Sequence, residues 1–289
     1  MNSSTEVFDK NLLATRFARR NQEDKDFVTQ LVIKDLGARL SDISRQFSSA
    51  LIIGPDAAHL PKELRSALAP IDFQRASTFL ATPGFPQVNT EAFEPEKRNY
   101  DLIVSLFDIG VTNDVPGFLK QALRHLAPDG LFMAAFVGGV SLQELRSAWL
   151  EADAIHMNGA VARVAPFIDT RDAGGLLQRA GFALPVADVE THTIRYAAPL
   201  ELMVEIKAFG ASNPLARNSS KLVTPAHLAS ACRAYEQAFS DPDGRVRATL
   251  EIVWMSGWAP HESQQKPLAP GSAKVSLTKV LGKGSGPKS

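Results

Sequence analysis

Between residues 100 and 137 the apolar positions form two nearly unbroken blocks, YDLIVSLFDI and LFMAAFVG. Between them Leu119, Leu123 and Leu126 recur at helical spacing. Unbroken apolar runs suit strands buried on both faces of a parallel sheet, and the 3.6-residue period suits the crossover helix that joins them. Asp114 as cap and Pro116 in the first turn set where this helix begins, and the PDG of residues 128–130 reads as the turn that follows it. Upstream, SALIIG (49–54) predicts a short strand, PKELRSALAP (61–70) a helix bracketed by prolines, and IDFQRAS (71–77) a further strand. The Pro- and Asn-rich stretch from Ala81 to Asn99 reads as loop, and residues 15–43 read as helix. Downstream, SLQELRSAWLEAD predicts a helix with Ser141 and Glu144 at capping-box spacing, and DTRDAGGLLQRAGF a helix closed by Gly181. PVADVETHTIRYAA alternates with period two, as an antiparallel edge strand does. Two amphipathic helices follow, PLELMVEIKAFGA and TPAHLASACRAYEQAFS, and then a strand-forming segment ending in aromatics, RATLEIVWMSGWAP.

Strand, helix, strand, helix at this spacing predicts an α/β fold: a doubly wound, mainly parallel seven-stranded sheet with right-handed crossovers. The late strands near 188–196 and 249–255 are expected to be antiparallel. The predicted organisation is an N-terminal helical segment (1–40), one domain (41–277) with helical cap segments near 140–165 and 200–245, and a disordered Gly-, Ser- and Lys-rich tail (278–289).

Composition narrows the chemistry. The 31 basic and 31 acidic side chains balance, so no broad electrostatic footprint for nucleic acid or anionic membrane is expected. The single cysteine, Cys232, excludes an internal disulfide and a cysteine-based zinc cluster, and reads as a small helix residue. No apolar run reaches the length of a membrane span, and the first residues lack the apolar core of a signal peptide, which makes the cytoplasm the expected compartment. The six histidines show no paired metal-ligand spacing. His125 and His192 read as partly exposed positions on a helix and a strand. No G-x-S-x-G motif supports a hydrolase. Two polar segments stand out as binding candidates: the turn after the 199–211 helix, with Ser212 and Asn213, and the loop GWAPHESQQKP, with Trp258, His261 and Gln264. Both suit a lid and acceptor surface over the strand ends, where open α/β sheets bind ligands. Arg16, Arg19 and Arg20 read as a solvated helix face that also positions the N-terminal helix over that cleft.

Three segments carry a resemblance to a known family. YDLIVSLFDIGVTNDVPGFLKQALRHLAPDGLFMAAFVGG looks like the fourth strand, following helix and fifth strand of the class I S-adenosylmethionine-dependent methyltransferases. FDKNLLATRFARR and ATLEIVWMSGWAPHESQQKPLAPGSAKVSL resemble the complex I assembly factor branch of that superfamily, whose neighbour is the malonyl-acyl-carrier-protein methyltransferase of biotin synthesis. The likeness runs over residues 7–277. It implies two readings: a methyltransferase-like enzyme that modifies a complex I subunit, by methyl transfer or by the arginine hydroxylation associated with that branch, or a non-catalytic assembly protein that kept the fold. No catalytic residue is identified. Methyl transfer mainly needs an acceptor held in line with the methyl group.

The resemblance also implies where S-adenosylmethionine is held. In this fold an acid and a G-x-G-x-G turn follow the first strand. In ALIIGPDAAHL the acid position falls on Ile52 and the glycine positions on Gly54, Asp56 and Ala58, with Pro55 removing an amide donor. The acid that grips the ribose has only Asp72, Arg75 or Ser77 to draw on, and the adenine-contacting loop offers Asn89 or Glu91. Phe107, after the fourth strand, completes the expected set. Weak or absent cofactor binding is the expectation.

Overall fold

The computed structural model describes residues 6–20, 26–157, 159–216 and 222–265. Its centre is a seven-stranded sheet of β1 (Ala50–Gly54), β2 (Glu63–Arg65), β3 (Pro70–Ser77), β4 (Tyr100–Leu106), β5 (Leu126–Val137), β6 (Ala183–Tyr196) and β7 (Val246–Trp258), in the spatial order β2-β3-β1-β4-β5-β7-β6. Strands β3, β1, β4 and β5 are mutually parallel, whereas β7 runs antiparallel to both β5 and β6, and β2 runs antiparallel to β3. This is the doubly wound, mainly parallel sheet that the apolar blocks predict.

Alternation along the strands divides the core between the two faces. Leu51, Ile53, Ile103 and Phe132 pack on one side against Phe118, Leu119 and Leu177, which lie on α3 (Val115–His125) and α5 (Thr170–Ala180). Ile52, Val104, Met133 and Trp254 pack on the other against Val32, Leu36 and Leu40 of α2 (Phe27–Ser41). Asp114 caps α3 by accepting from the Gly117 amide at 2.9 Å. A Cβ at Gly117 would sit 2.1 Å from the Asp114 carboxylate, so the cap and the glycine go together. Asp169 caps α5, and Gly181, at φ +96°, closes it.

Four local expectations are corrected. Residues 61–70 are not a helix: the Ser66 hydroxyl accepts from the amides of Leu68 and Ala69, and the turn it makes sends β2 back against β3. The stretch 15–43 is not one helix, because α1 spans Lys10–Ala18 and α2 begins only at Phe27, capped by Asp26. Ser141 and Glu144 form no capping box. Ser141 instead accepts from the Glu251 amide, and Glu144 takes the amide and hydroxyl of Thr249, so both staple α4 (Gln143–His156) to β7. The PDG turn lies within β5, with Asp129 at φ +61° beside a register shift opposite β4. The expected disordered tail (278–289) lies outside the described residues.

A helical layer covers the C-terminal ends of the parallel strands. Leu145 and Ala148 of α4, Leu202 of α6 (Pro199–Ala208) and Tyr235 of α7 (Pro225–Phe239) form a separate apolar cluster there. It encloses the fully buried Asp153, whose carboxylate takes Arg163 at 2.7 Å and lies 2.9 Å from His227 Nε2. Burial works against that charge, but Arg163, the Val161 amide and His227 hold the Asp153 carboxyl below the usual range. On the other side α1 is strapped down by a bridge between Phe8 and Leu215, and by Arg16 donating to the Ser212 and Asn213 carbonyls.

Candidate functional site

Between the strand ends and this layer lies a cavity of about 260 Å³. Its floor is Pro55, Asp56 and Phe107, from the loops after β1 and β4. Its walls come from α1, α6, β6 and the 163–167 segment. Open α/β sheets place ligands in this position, at the C-terminal ends of their strands. The lining is dominated by apolar and aromatic side chains, as small-molecule cavities usually are.

The loop after β1 is closed by its own side chains. The Asp56 carboxylate accepts from the Ala58 amide at 3.0 Å, from Thr82 Oγ1 at 3.0 Å, and from Arg20, and lies 2.9 Å from His59 Nδ1. The Ala57 amide donates to Ser77 Oγ at 2.9 Å, and Ser77 in turn donates to Thr82. Burial raises the Asp56 carboxyl, yet the Ala58 amide, Thr82, Arg20 and His59 outweigh it, and the group stays ionised below the usual carboxylate range. The amides that a glycine-rich turn leaves facing a ligand are therefore engaged within the protein.

The parallel partner of Gly54 is Ser77, so the end of β3 presents a hydroxyl where the family pattern has an acid, and that hydroxyl is already bonded. Glu91 is also engaged: it takes the Asn113 and Asp114 amides at 2.7 and 3.0 Å and pairs with Lys10 at 3.0 Å. Burial pushes against its ionisation, but Lys10 and those amides hold its carboxyl low. Asn89 caps the same turn through the Glu91 amide and receives Lys10. Neither Asn89 nor Glu91 lines the cavity; both anchor α1. Gly54 is packed under Leu60 and the Leu106 carbonyl, where a Cβ would lie 3.0 and 3.2 Å away. Pro55, Asp56 and Phe107 do line the cavity, and Phe107 sits at φ +69°. The polar groups expected to receive S-adenosylmethionine, Asp56, Ser77, Asn89 and Glu91, already have internal partners, so these side chains do not fit the cofactor as the fold family's pattern holds it.

Asp108, which follows Phe107, is wholly buried. Its carboxyl receives Thr78 Oγ1 at 2.6 Å and Ser105 Oγ at 2.8 Å. Burial pushes it up to about 7, against the partial relief of those two hydroxyls and of Lys10. A single acid after an apolar strand has no sequence signature; only its depth in the fold marks it.

The binding segments separate. Ser212 and Asn213 border the cavity, with their carbonyls held by Arg16 and the Asn213 amide on the Ala162 carbonyl. Trp258, His261 and Gln264 do not join them, which corrects the expectation of one acceptor surface. Trp258 pairs with Leu131, just past the turn within β5 and beside Leu102 near the start of β4, at the end of the sheet away from the cavity, because β7 runs against β5. There Arg45 stacks on the Trp258 ring at 5.3 Å and pairs with Asp129 at 2.5 Å. Gln264 donates to Asp129 and to the Ala259 carbonyl, and His261 lies 2.7 Å from Ser263. His125 bonds the Gln121 carbonyl and packs edge-on to Phe93, a helix-face role. No group of metal-ligating side chains, and no helix long and apolar enough to cross a membrane, occurs among the described residues.

Residues 27–185 match the family described as a methyltransferase domain. Arginine-hydroxylase NDUFAF5, mitochondrial, of Danio rerio is 34% identical over 290 residues, covering 94% of this chain and 88% of that protein. Its Homo sapiens counterpart is 32% identical over 284 residues, covering 94% of this chain and 82% of that protein. Malonyl-[acyl-carrier protein] O-methyltransferase of Halorhodospira halophila is 37% identical over 194 residues, covering 66% of this chain and 64% of that protein.

Proposed function

This chain belongs to the methyltransferase domain family, and from that premise we propose that it acts on a protein subunit during respiratory complex I assembly, without tight use of S-adenosylmethionine. One observation carries the second half of this reading. Asp56, Ser77 and Thr82, with Arg20 reaching over from the N-terminal segment, engage the amides and side chains that the family's cofactor loop leaves open. The first half rests on likeness along almost the whole chain to proteins named NDUFAF5, and on the resemblance of residues 8–20 and 248–277 to the assembly factor branch. The capped cavity supplies the contact: it opens where this fold presents an acceptor, and it is bordered by Ser212 and Asn213.

Methyl transfer is the second reading, favoured by the 37% identity to an O-methyltransferase. Two measurements on the purified protein separate the readings. Calorimetry with S-adenosylmethionine is expected to give a dissociation constant weaker than about 1 μM, equivalent to roughly −8 kcal/mol. Capture of individual complex I subunits is expected to be the same with and without the cofactor. Tight stoichiometric binding with methyl incorporation into a captured subunit would establish the second reading. Failure to retain any complex I subunit would remove the first.

A further inference from the structure

The sheet ends at β6. Along one side β6 pairs with β7, and no strand pairs with its outer side among the described residues. An antiparallel ladder turns the N–H and C=O of every second residue toward one neighbour and those of the others the opposite way. The outer side of β6 therefore carries a row of backbone donors and acceptors with no strand to receive them. The register against β7 slips between Ala183 and Val186, where Leu184 sits at φ +48°, and then runs unbroken from Val186 to Tyr196. Proteins usually blunt such an edge with charged side chains. Here those charges are already neutralised within the chain. Arg39 holds Asp188 at 2.6 and 2.8 Å and Glu190 at 3.1 Å, and Asp241 and Asp243 hold Arg195. The residues left exposed between them are Val189, Thr191 and Thr193, β-branched types that suit pairing.

The unbroken run is symmetrical about Thr191, and this limits what can be added to it. In an antiparallel pair, residues that stand opposite share a face of the sheet. A second copy of the same strand related by a two-fold axis must therefore be centred on a residue, not between two. Centring on Glu190 sets Glu190 against itself, and like charges directly opposite are destabilising. Centring on His192 sets His192 against itself and leaves Val186 and Ala187 beyond the partner's run. Centring on Thr191 matches every position from Val186 to Tyr196. Thr191 then meets Thr191, Val189 meets Thr193, and the Glu190 carboxylate of each copy stands opposite the His192 ring of the other.

We infer that β6 is a self-association edge, at which two copies of this chain pair antiparallel about Thr191 and join their seven-stranded sheets into one. Ile194 and Tyr196, which line the cavity, then stand opposite Asp188 and Val186 of the second copy, so the contact abuts the cavity wall. It depends neither on what the cavity receives nor on the reading of a complex I subunit.

Analytical ultracentrifugation of the full chain is expected to show twice the chain mass at micromolar concentration. Thr191→Lys brings two ammonium groups together on the axis and is expected to weaken the dimer by at least about tenfold, while circular dichroism and the melting midpoint stay close to those of the unaltered chain. A second measurement reads the register directly. Opposed residues of an antiparallel pair lie about 4.5–5.5 Å apart between Cα atoms, within the span of a disulfide. In a Cys232→Ser background, which removes the native thiol, Thr191→Cys is expected to cross-link two chains under mild oxidation. Thr193→Cys, whose cysteine would face Val189, is expected to stay single. A monomer in the unaltered chain, a dimer that persists at full strength in Thr191→Lys, or cross-linking of Thr193→Cys as readily as Thr191→Cys would each overturn the inference. The mass of the unaltered chain decides the matter even where a variant fails to fold.

Discussion

Replacing Asp108 by asparagine removes one titration from the core and leaves the shape almost unchanged. The wild-type carboxyl, buried beneath Phe107 and bonded by Thr78 and Ser105, sits at about 7 in the folded protein against an ordinary value of 3.8. Below pH 3.8 both states carry the proton and Asp108 imposes no cost on folding. Between about pH 4 and pH 7 the unfolded chain has lost the proton while the folded chain keeps it, so stability falls as pH rises, and the loss levels off above the folded value. At about 1.4 kcal/mol per pK unit, a shift of about three units makes this loss about 4 kcal/mol between pH 4 and pH 8. Asparagine has no such titration, and both hydroxyls can reorient toward its amide. The assay is urea denaturation of both proteins across that range. The wild-type stability minus that of Asp108→Asn should drop by about 4 kcal/mol, so that at pH 8 the variant gains on the wild type. The depressed carboxyls of Asp56, Glu91 and Asp153 act in the opposite sense, in a lower window. Their contribution is present above the ordinary carboxylate range and is lost as pH falls through it, and it cancels in the difference. A difference that stays flat or grows with pH would refute the reasoning.

Further outcomes follow from particular contacts. Asp153→Ala strands Arg163 in the cap and should cost about 3–5 kcal/mol by urea denaturation; a loss under about 1 kcal/mol would show that the pair does not organise the cap. Gly138→Ala places a Cβ 2.6 Å from the Ile168 carbonyl and 2.5 Å from Val253, and should lose about 2 kcal/mol of stability, visible as a lower melting midpoint. Trp258→Ala should reduce stability by about 2 kcal/mol through lost packing with Arg45 and Leu131. Because that ring lies at the far end of the sheet from the cavity, the loss should appear in stability, read by urea denaturation, and an unchanged stability would reverse the placement.

The parallel centre was legible because β4 and β5 must be apolar on both faces, and such runs have few other uses. Asp114, Asp169 and Gly181 marked helix ends through side-chain and backbone chemistry that acts within a few residues. The hairpin at β2 was not legible. Pro61 and the leucines of PKELRSAL satisfy a helix pattern, and it is the Ser66 turn together with the Leu64 contact to α2 that decides against it. Asp56 was readable as an intruder in a glycine pattern, but its partners Arg20 and Thr82 lie 36 and 26 residues away, and pattern alone does not bring them together. The place of Trp258 was within reach of the sequence. A strand expected to run antiparallel ends at the opposite edge from its parallel neighbours, and applying that direction to RATLEIVWMSGW moves the tryptophan away from the ligand side.

The insertion of β7 between β5 and β6 makes the order of synthesis disagree with the order of assembly. While the ribosome is still adding residues before 246, β5 exposes an apolar edge to solvent, and the fourteen residues of β6 have no strand to join. Closing both gaps awaits emergence of the segment Val246–Trp258, whose Val253 partners Phe136 on one side and Val189 on the other. The nascent chain therefore carries an unfinished sheet through most of its translation, the state in which edge pairing between neighbouring chains competes with folding. A ribosome stalled just short of residue 246 would hold a chain that captures chaperones, and one stalled well past 258 would hold a chain that no longer does.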